Sequence, residues 1–136
     1  MTIMVLHPGA AAGDVLVLDE PLSFWGAFDP RTGAIIDAKH PQRGRCITGK
    51  ILLMERTRGS GTAPGGMAEA IRLNTAPAAI ILITPDVNLA VGAMVAHELY
   101  GRSCAIFAVD AEDYGHFREA KTLRVTSSPG ADIEAV

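Results

Sequence analysis

The stretch Ala78-Ala79-Ile80-Ile81-Leu82-Ile83-Thr84 is apolar at every position but the last and rich in branched side chains. A strand with one solvated face alternates apolar with polar residues, so this unbroken run predicts a strand covered on both faces, as in a parallel sheet flanked by helices. The sequence on its C-terminal side repeats the theme. Asn88 is placed to cap a helix running through Leu89, Ala93, Ala96 and Leu99 to a glycine stop at Gly101. Cys104-Ala105-Ile106-Phe107-Ala108-Val109 is a second run of the buried-strand type, Asp110 is placed to cap a short helix over 111–120, and Thr122 to Thr126 predicts a last strand before a polar tail.

On the N-terminal side, Met67, Ala70, Ile71 and Leu73 recur at helical spacing and predict a helix of about two turns closing near Asn74. Strands are predicted over Cys46 to Met54 and over the alternating Asp14 to Asp19, which Pro21 ends by removing a ladder donor. Between them, Pro21 to Arg45 holds Gly26, Pro30, Gly33, Pro41 and Gly44, with a small strand expected at Ala34 to Asp37 after the turn Asp29-Pro30-Arg31-Thr32-Gly33. Thr57 to Gly66 is a second long loop. Strands and loops in front, helices alternating with strands behind, predict an α/β domain: a compact barrel-like or sandwiched sheet flanked by about three short helices, one domain over residues 1–136.

Composition narrows the function. With 12 Lys and Arg against 15 Asp and Glu the chain carries −3, which offers no electrostatic footprint for a phosphate backbone, so nucleic acid is not an expected partner. The most apolar region, 76–96, is broken by Pro77, Pro85, Asp86 and Asn88, so no membrane span is expected. The first basic residue is Arg31; without a charged start or an Arg-rich leader, the expected compartment is the cytoplasm. Cys46 and Cys104 each sit in an apolar β-like run and are expected as buried thiols rather than a disulfide.

Several motifs fail on inspection. Gly44-Arg45-Cys46-Ile47-Thr48-Gly49-Lys50-Ile51 matches a phosphate-binding loop until the last position, where isoleucine replaces the hydroxyl that meets magnesium. Gly59-Ser60-Gly61 begins a dinucleotide fingerprint whose third glycine falls on Pro64, and Arg58 stands where a hydrolase nucleophile elbow needs glycine. His7, His40, His97 and His116 lack the spacings that bring two imidazoles to one metal; they are expected as surface or capping residues, and no metal site within this chain is expected. Trp25, after Phe24, either packs under the first loop or lines a cleft.

The loop Arg58-Gly59-Ser60-Gly61-Thr62 is the constellation whose parts fit a chemical role, since glycines expose backbone donors and a neighbouring cation favours an ionised hydroxyl. Its bland reading is a solvated turn, with Thr62 merely capping the helix that follows. Glu20-Pro21-Leu22-Ser23-Phe24-Trp25-Gly26, Asp29-Pro30-Arg31-Thr32-Gly33, His40-Pro41-Gln42-Arg43-Gly44, the Arg58-Gly59-Ser60 loop and Thr75-Ala76-Pro77-Ala78-Ala79-Ile80-Ile81-Leu82 occur in that order. In this ordered set the chain resembles the small subunit of aconitase X.

The resemblance implies a swivelling β/β/α domain that closes over an active site held mainly by a larger chain. It also implies a hydro-lyase dehydrating a small β-hydroxy acid: cis-3-hydroxy-L-proline first, mevalonate phosphate as the alternative, and a ligand-binding domain without catalysis as the non-enzymatic one. The resemblance assigns the general base to Ser60, and the chemistry of the loop makes Arg58, Gly59, Gly61 and Thr62 the expected substrate-binding residues. It places an iron or iron–sulfur centre on the large subunit and no cofactor on this chain. The usual loop of the family continues with serines after Ser60; here Gly61, Thr62 and the run Pro64-Gly65-Gly66 depart from it. His40 and Arg43 are further candidates for contact with substrate or with the large subunit.

Overall fold

The computed structural model describes residues 2–24, 26–58 and 63–136. In chain order the elements are β1 (Ile3–His7), β2 (Ala10–Val17), β3 (Phe28–Asp29), β4 (Ala34–Ile35), β5 (Ile51–Leu53), α1 (Ala63–Arg72), β6 (Ala79–Leu82), α2 (Val87–Tyr100), β7 (Ala105–Val109), α3 (Ala111–Phe117), β8 (Thr122–Thr126) and β9 (Asp132–Ala135). Seven strands form one curled sheet in the order β1-β7-β6-β5-β2-β8-β9, and β3 pairs with β4 in a small hairpin. The central strands β2, β5, β6 and β7 run parallel, while β1, β8 and β9 pair antiparallel at the margins. This is the expected α/β fold.

Side chains of a strand alternate between faces, and here each face has its own core. Leu52, Ile80, Leu82 and Ile106 pack under α1 and α2 with Met67, Ala70, Ile71, Leu89, Ala93 and Ala96. Their neighbours Ile51, Leu53, Ala79, Ile81, Phe107 and Val109 point the other way, to Tyr114 of α3 and to Leu123, Val125 and Ile133 of the marginal strands. That two-sided burial is why the opening stretch shows no polar alternation. Two glycines let the helical layer close. A Cβ on Gly92 of α2 would lie 2.6 Å from the Pro64 carbonyl oxygen, and one on Gly66 of α1 would lie 1.8 Å from that of Phe24.

The structure corrects several expectations. The strand predicted over Cys46 to Met54 shrinks to β5: Gly49 turns the chain at φ 73°, and the Lys50 N–H returns to the Ile47 carbonyl. Cys46 is therefore exposed, not buried, whereas Cys104 is fully buried and its thiol is pushed up strongly by burial. The cap of α2 is Asp86, not Asn88; its carboxylate accepts the N–H groups of Asn88 and Leu89. Asp110 caps α3 as expected, accepting from the Asp113 N–H. Two marginal strands were not anticipated. β1 is short and half exposed, and β9 falls in the tail that reads as polar, where only Ile133 is buried.

Candidate functional site

The carboxyl ends of the parallel strands gather the segments that the sequence singles out. In open α/β sheets this edge is where ligands bind, because the loops that leave the strands there are free to carry function. β2 delivers 18–23, β5 delivers 54–58 and β6 delivers 83–86; together Leu18, Asp19, Glu20, Pro21, Glu55, Arg56, Ile83 and Thr84 line a cleft of about 210 Å³. The loop after β5 is tied to the segment that follows β6, since the Glu55 carbonyl accepts the N–H groups of Ile83 and Thr84, at 2.9 Å each.

Of the predicted site residues, Arg58 lies within the described structure, and Gly59, Ser60, Gly61 and Thr62 lie outside it. The approach to the loop is fixed from several directions. Arg58 donates its backbone N–H to the Leu22 carbonyl at 3.3 Å, and its guanidinium Nη1 stands 3.6 Å from Asp37 Oδ2. Just before it, the Thr57 hydroxyl donates to the Asp86 carboxylate, so the cap of α2 holds the same loop. On the far side α1 begins at Ala63 with Pro64 in its first turn, a position where proline's missing N–H costs nothing. Gly66 then clamps α1 against the Phe24 backbone.

Arg58 is half exposed and Asp37 more sheltered, so the pair orients the guanidinium more than it stabilises the fold. Asp37 is the partner of Arg58 that sequence reading missed. Its signal was weak, because it lies 21 positions from Arg58 at the end of the predicted strand 34–37.

His40 belongs to the same edge but is occupied. Its Nε2–H donates to the Glu20 carbonyl and its Nδ1 accepts the Gln42 N–H, both at 3.0 Å, which fixes the tautomer. Gln42 in turn donates to the Val17 carbonyl and accepts the Asp19 N–H. The His40-Pro41-Gln42 turn is thus a staple that shapes the 17–20 loop, and His40 is buried, not a surface residue. Arg43 is exposed beside it. His7 is buried too, with its ring 6.2 Å from that of His97 at the opposite edge of the sheet. Trp25 lies outside the described residues; its neighbours Phe24, Gly26, Phe28 and Pro30 with Gly65, Gly66 and Glu69 of α1 line an apolar cleft of about 520 Å³.

The donor set tests whether an iron–sulfur centre fits this chain. Such clusters are held chiefly by cysteine thiolates. Cys46 is exposed, Cys104 is a buried thiol whose Sγ faces the Ala105 carbonyl, and among the described residues no three His, Cys, Asp or Glu side chains converge. The residues present do not fit the group.

The fold and the edge define an α/β domain in which the approach to one loop is anchored at Thr57 and Arg58 and the arginine at its entrance is oriented by Asp37. A family model described as the aconitase X swivel domain matches residues 1–134, and the chain belongs to that family. It is 47% identical over 101 residues to a cis-3-hydroxy-L-proline dehydratase of Pseudomonas aeruginosa, covering 74% of this chain and 17% of that one. It is 45% identical over 92 residues to the phosphomevalonate dehydratase small subunit of Methanothermobacter thermautotrophicus, covering 68% of this chain and 70% of that one. The crystal structure of Thermococcus kodakaraensis aconitase X in its holo-form superposes with a TM-score of 0.80 at 28% identity, over 100% of this chain and 99% of that one. The chain thus spans under a fifth of the Pseudomonas relative and most of the archaeal small subunit.

Proposed function

We propose that this chain is the small subunit of an aconitase X-type dehydratase and that its substrate is cis-3-hydroxy-L-proline. The observation that carries the reading is the order of motifs around Arg58-Gly59-Ser60 in a chain of this family, with the loop's entrance pinned by Leu22, Asp37 and Asp86. Dehydration removes a proton from the carbon beside the carboxylate; the electron pair left behind forms the double bond while the neighbouring C–O bond breaks and hydroxide leaves, so that the proton removed and the hydroxide released together make up the water lost. Ser60 takes that proton. A serine oxygen is a strong enough base only where its anion is stabilised, so loop N–H groups and the Arg58 charge have to face it in a water-poor pocket. Gly59, Gly61 and Thr62 bind substrate oxygens. An iron or iron–sulfur centre on the large subunit would supply the Lewis acidity for the leaving hydroxyl.

The substrate assignment follows the higher identity to the hydroxyproline enzyme and the absence of Lys and Arg from 59–71, where a phosphate would want cations. The phosphomevalonate reading is favoured by a different observation: the archaeal relatives are separate small subunits of similar length. Coexpression with the large subunit and an assay on 3-hydroxyproline isomers and mevalonate 5-phosphate separates the two. Turnover of cis-3-hydroxy-L-proline that Ser60→Ala lowers by about 1,000-fold, with Arg58→Ala about 100-fold down, supports the reading. Equal rates for Ser60→Ala and wild type would remove Ser60 from the chemistry.

A further inference from the structure

Helix α2 is finished on one side only. Leu89, Gly92, Ala93 and Ala96 are buried against the sheet and α1. The outer side carries Val87, Val91, Met94, Val95 and Leu99, exposed by 69, 36, 52, 40 and 66%. At 3.6 residues per turn these five fall within an arc of about 140°, interrupted by Asn88 at the helix start and by Glu98. Of ten large apolar side chains exposed among the described residues, six are on this helix, so they form a patch and are not the single scattered residues that every surface shows. A helix that is apolar on both sides is normally covered on both sides.

The patch is continuous with the candidate site. Asp86, which caps α2, also accepts the hydroxyl of Thr57, the residue before Arg58, so Val87 begins where the Arg58 to Thr62 loop is anchored. The apolar side of α2 therefore starts one residue after the carboxylate that holds Thr57. Among the relatives this domain occurs both as 17% of a longer chain and as a separate small subunit, so it is found with and without a covalent link to a larger body.

We propose that the outer face of α2 is the docking surface for the large subunit: an apolar patch on that chain covers Val91, Met94 and Val95, with a basic side chain opposite Glu98. The inference rests on the small-subunit reading above and adds the surface through which the two chains meet.

The test uses the full chain and its large subunit, the companion that resembles the remaining part of the Pseudomonas relative, purified separately and titrated together. Met94→Asp and Leu99→Asp are each expected to weaken the complex by about 100-fold, because an unpaired carboxylate is then buried at the interface. Met94→Leu and, on the opposite face, Asp132→Lys leave affinity within about 3-fold. Both aspartate positions are solvent-facing in the isolated chain, and unchanged melting of the isolated variants shows that the loss is not misfolding. Wild-type affinity in both variants overturns the proposal, as does failure of the wild-type chains to associate, or a wild-type dimer of this chain that Met94→Asp makes monomeric. Ser60→Ala keeps the two readings apart: it is expected to assemble normally and turn over poorly. A Ser60→Ala complex of full activity would sink the assigned base while leaving the docking surface intact.

Discussion

The two faces of the sheet are built from the same strands and end differently. On one, Ile51, Ile81 and Phe107 meet α3, β8 and β9, and the surface beyond is polar, with Arg124 and Glu134 paired at 3.0 Å. On the other, Leu52, Ile80 and Ile106 meet α1 and α2, and the surface beyond is apolar along α2 and runs into the loop that carries the candidate chemistry. A layer whose outside is polar has nothing further to bury. A layer whose outside is apolar and borders the candidate site still has surface to bury, and it is on this helical side that the proposals above place both chemistry and assembly.

This contrast can be broken at its most buried points. Phe107→Ala on the closed face should cost about 4 kcal/mol of stability, read from urea denaturation, since the ring is fully buried. Activity per folded molecule should be untouched; a direct loss of turnover would show that the closed face takes part in function. Gly66→Ala on the helical face should cost about 3 kcal/mol, because the new methyl meets a backbone oxygen that cannot move aside. Here the fully folded fraction should also lose turnover, as the start of α1 shifts away from Phe24 and takes the end of the 59–62 loop with it.

Smaller effects sharpen the same division. Asp37→Asn should change stability by less than about 1 kcal/mol, as expected for a partly exposed ion pair, yet lower turnover about tenfold by releasing Arg58. An unchanged rate would show that the pair does not orient the guanidinium. The weakest effect concerns the edge away from the site. Burial, and then the neighbouring His97, lowers the pKa of His7 below 6.5, so the unfolded chain binds the proton more readily than the folded one. Stability from this residue is complete above 6.5 and is lost as pH falls below it. The melting temperature of wild type should therefore drop between about pH 7.5 and about pH 5 by more than that of His7→Gln; identical drops would remove His7 as the cause.

Much of the fold was legible because it is written in local patterns. The apolar runs at 79–82 and 105–109, the aspartate before α3 and the glycine after α2 each declare themselves within a few residues. Less was legible where a residue's state depends on a distant partner. Cys46 looks buried in its own segment, but Gly49 bends the chain and leaves the thiol outside; His40 looks like a free side chain until the Glu20 carbonyl meets it. Asn88 and Asp86 are both good caps, and the choice fell to Asp86, whose carboxylate also serves Thr57 across 29 positions.

The sequence by itself determined the α/β class, the buried central strands, and the kinship that the ordered loops announce, because periodicity and motif order are properties of the chain. The tertiary structure decided that Arg58 is held by Asp37, that Gly66 and Gly92 are points of backbone contact, and that one side of α2 has no cover. Those are distances between residues far apart in the chain, and only the folded packing brings them within reach.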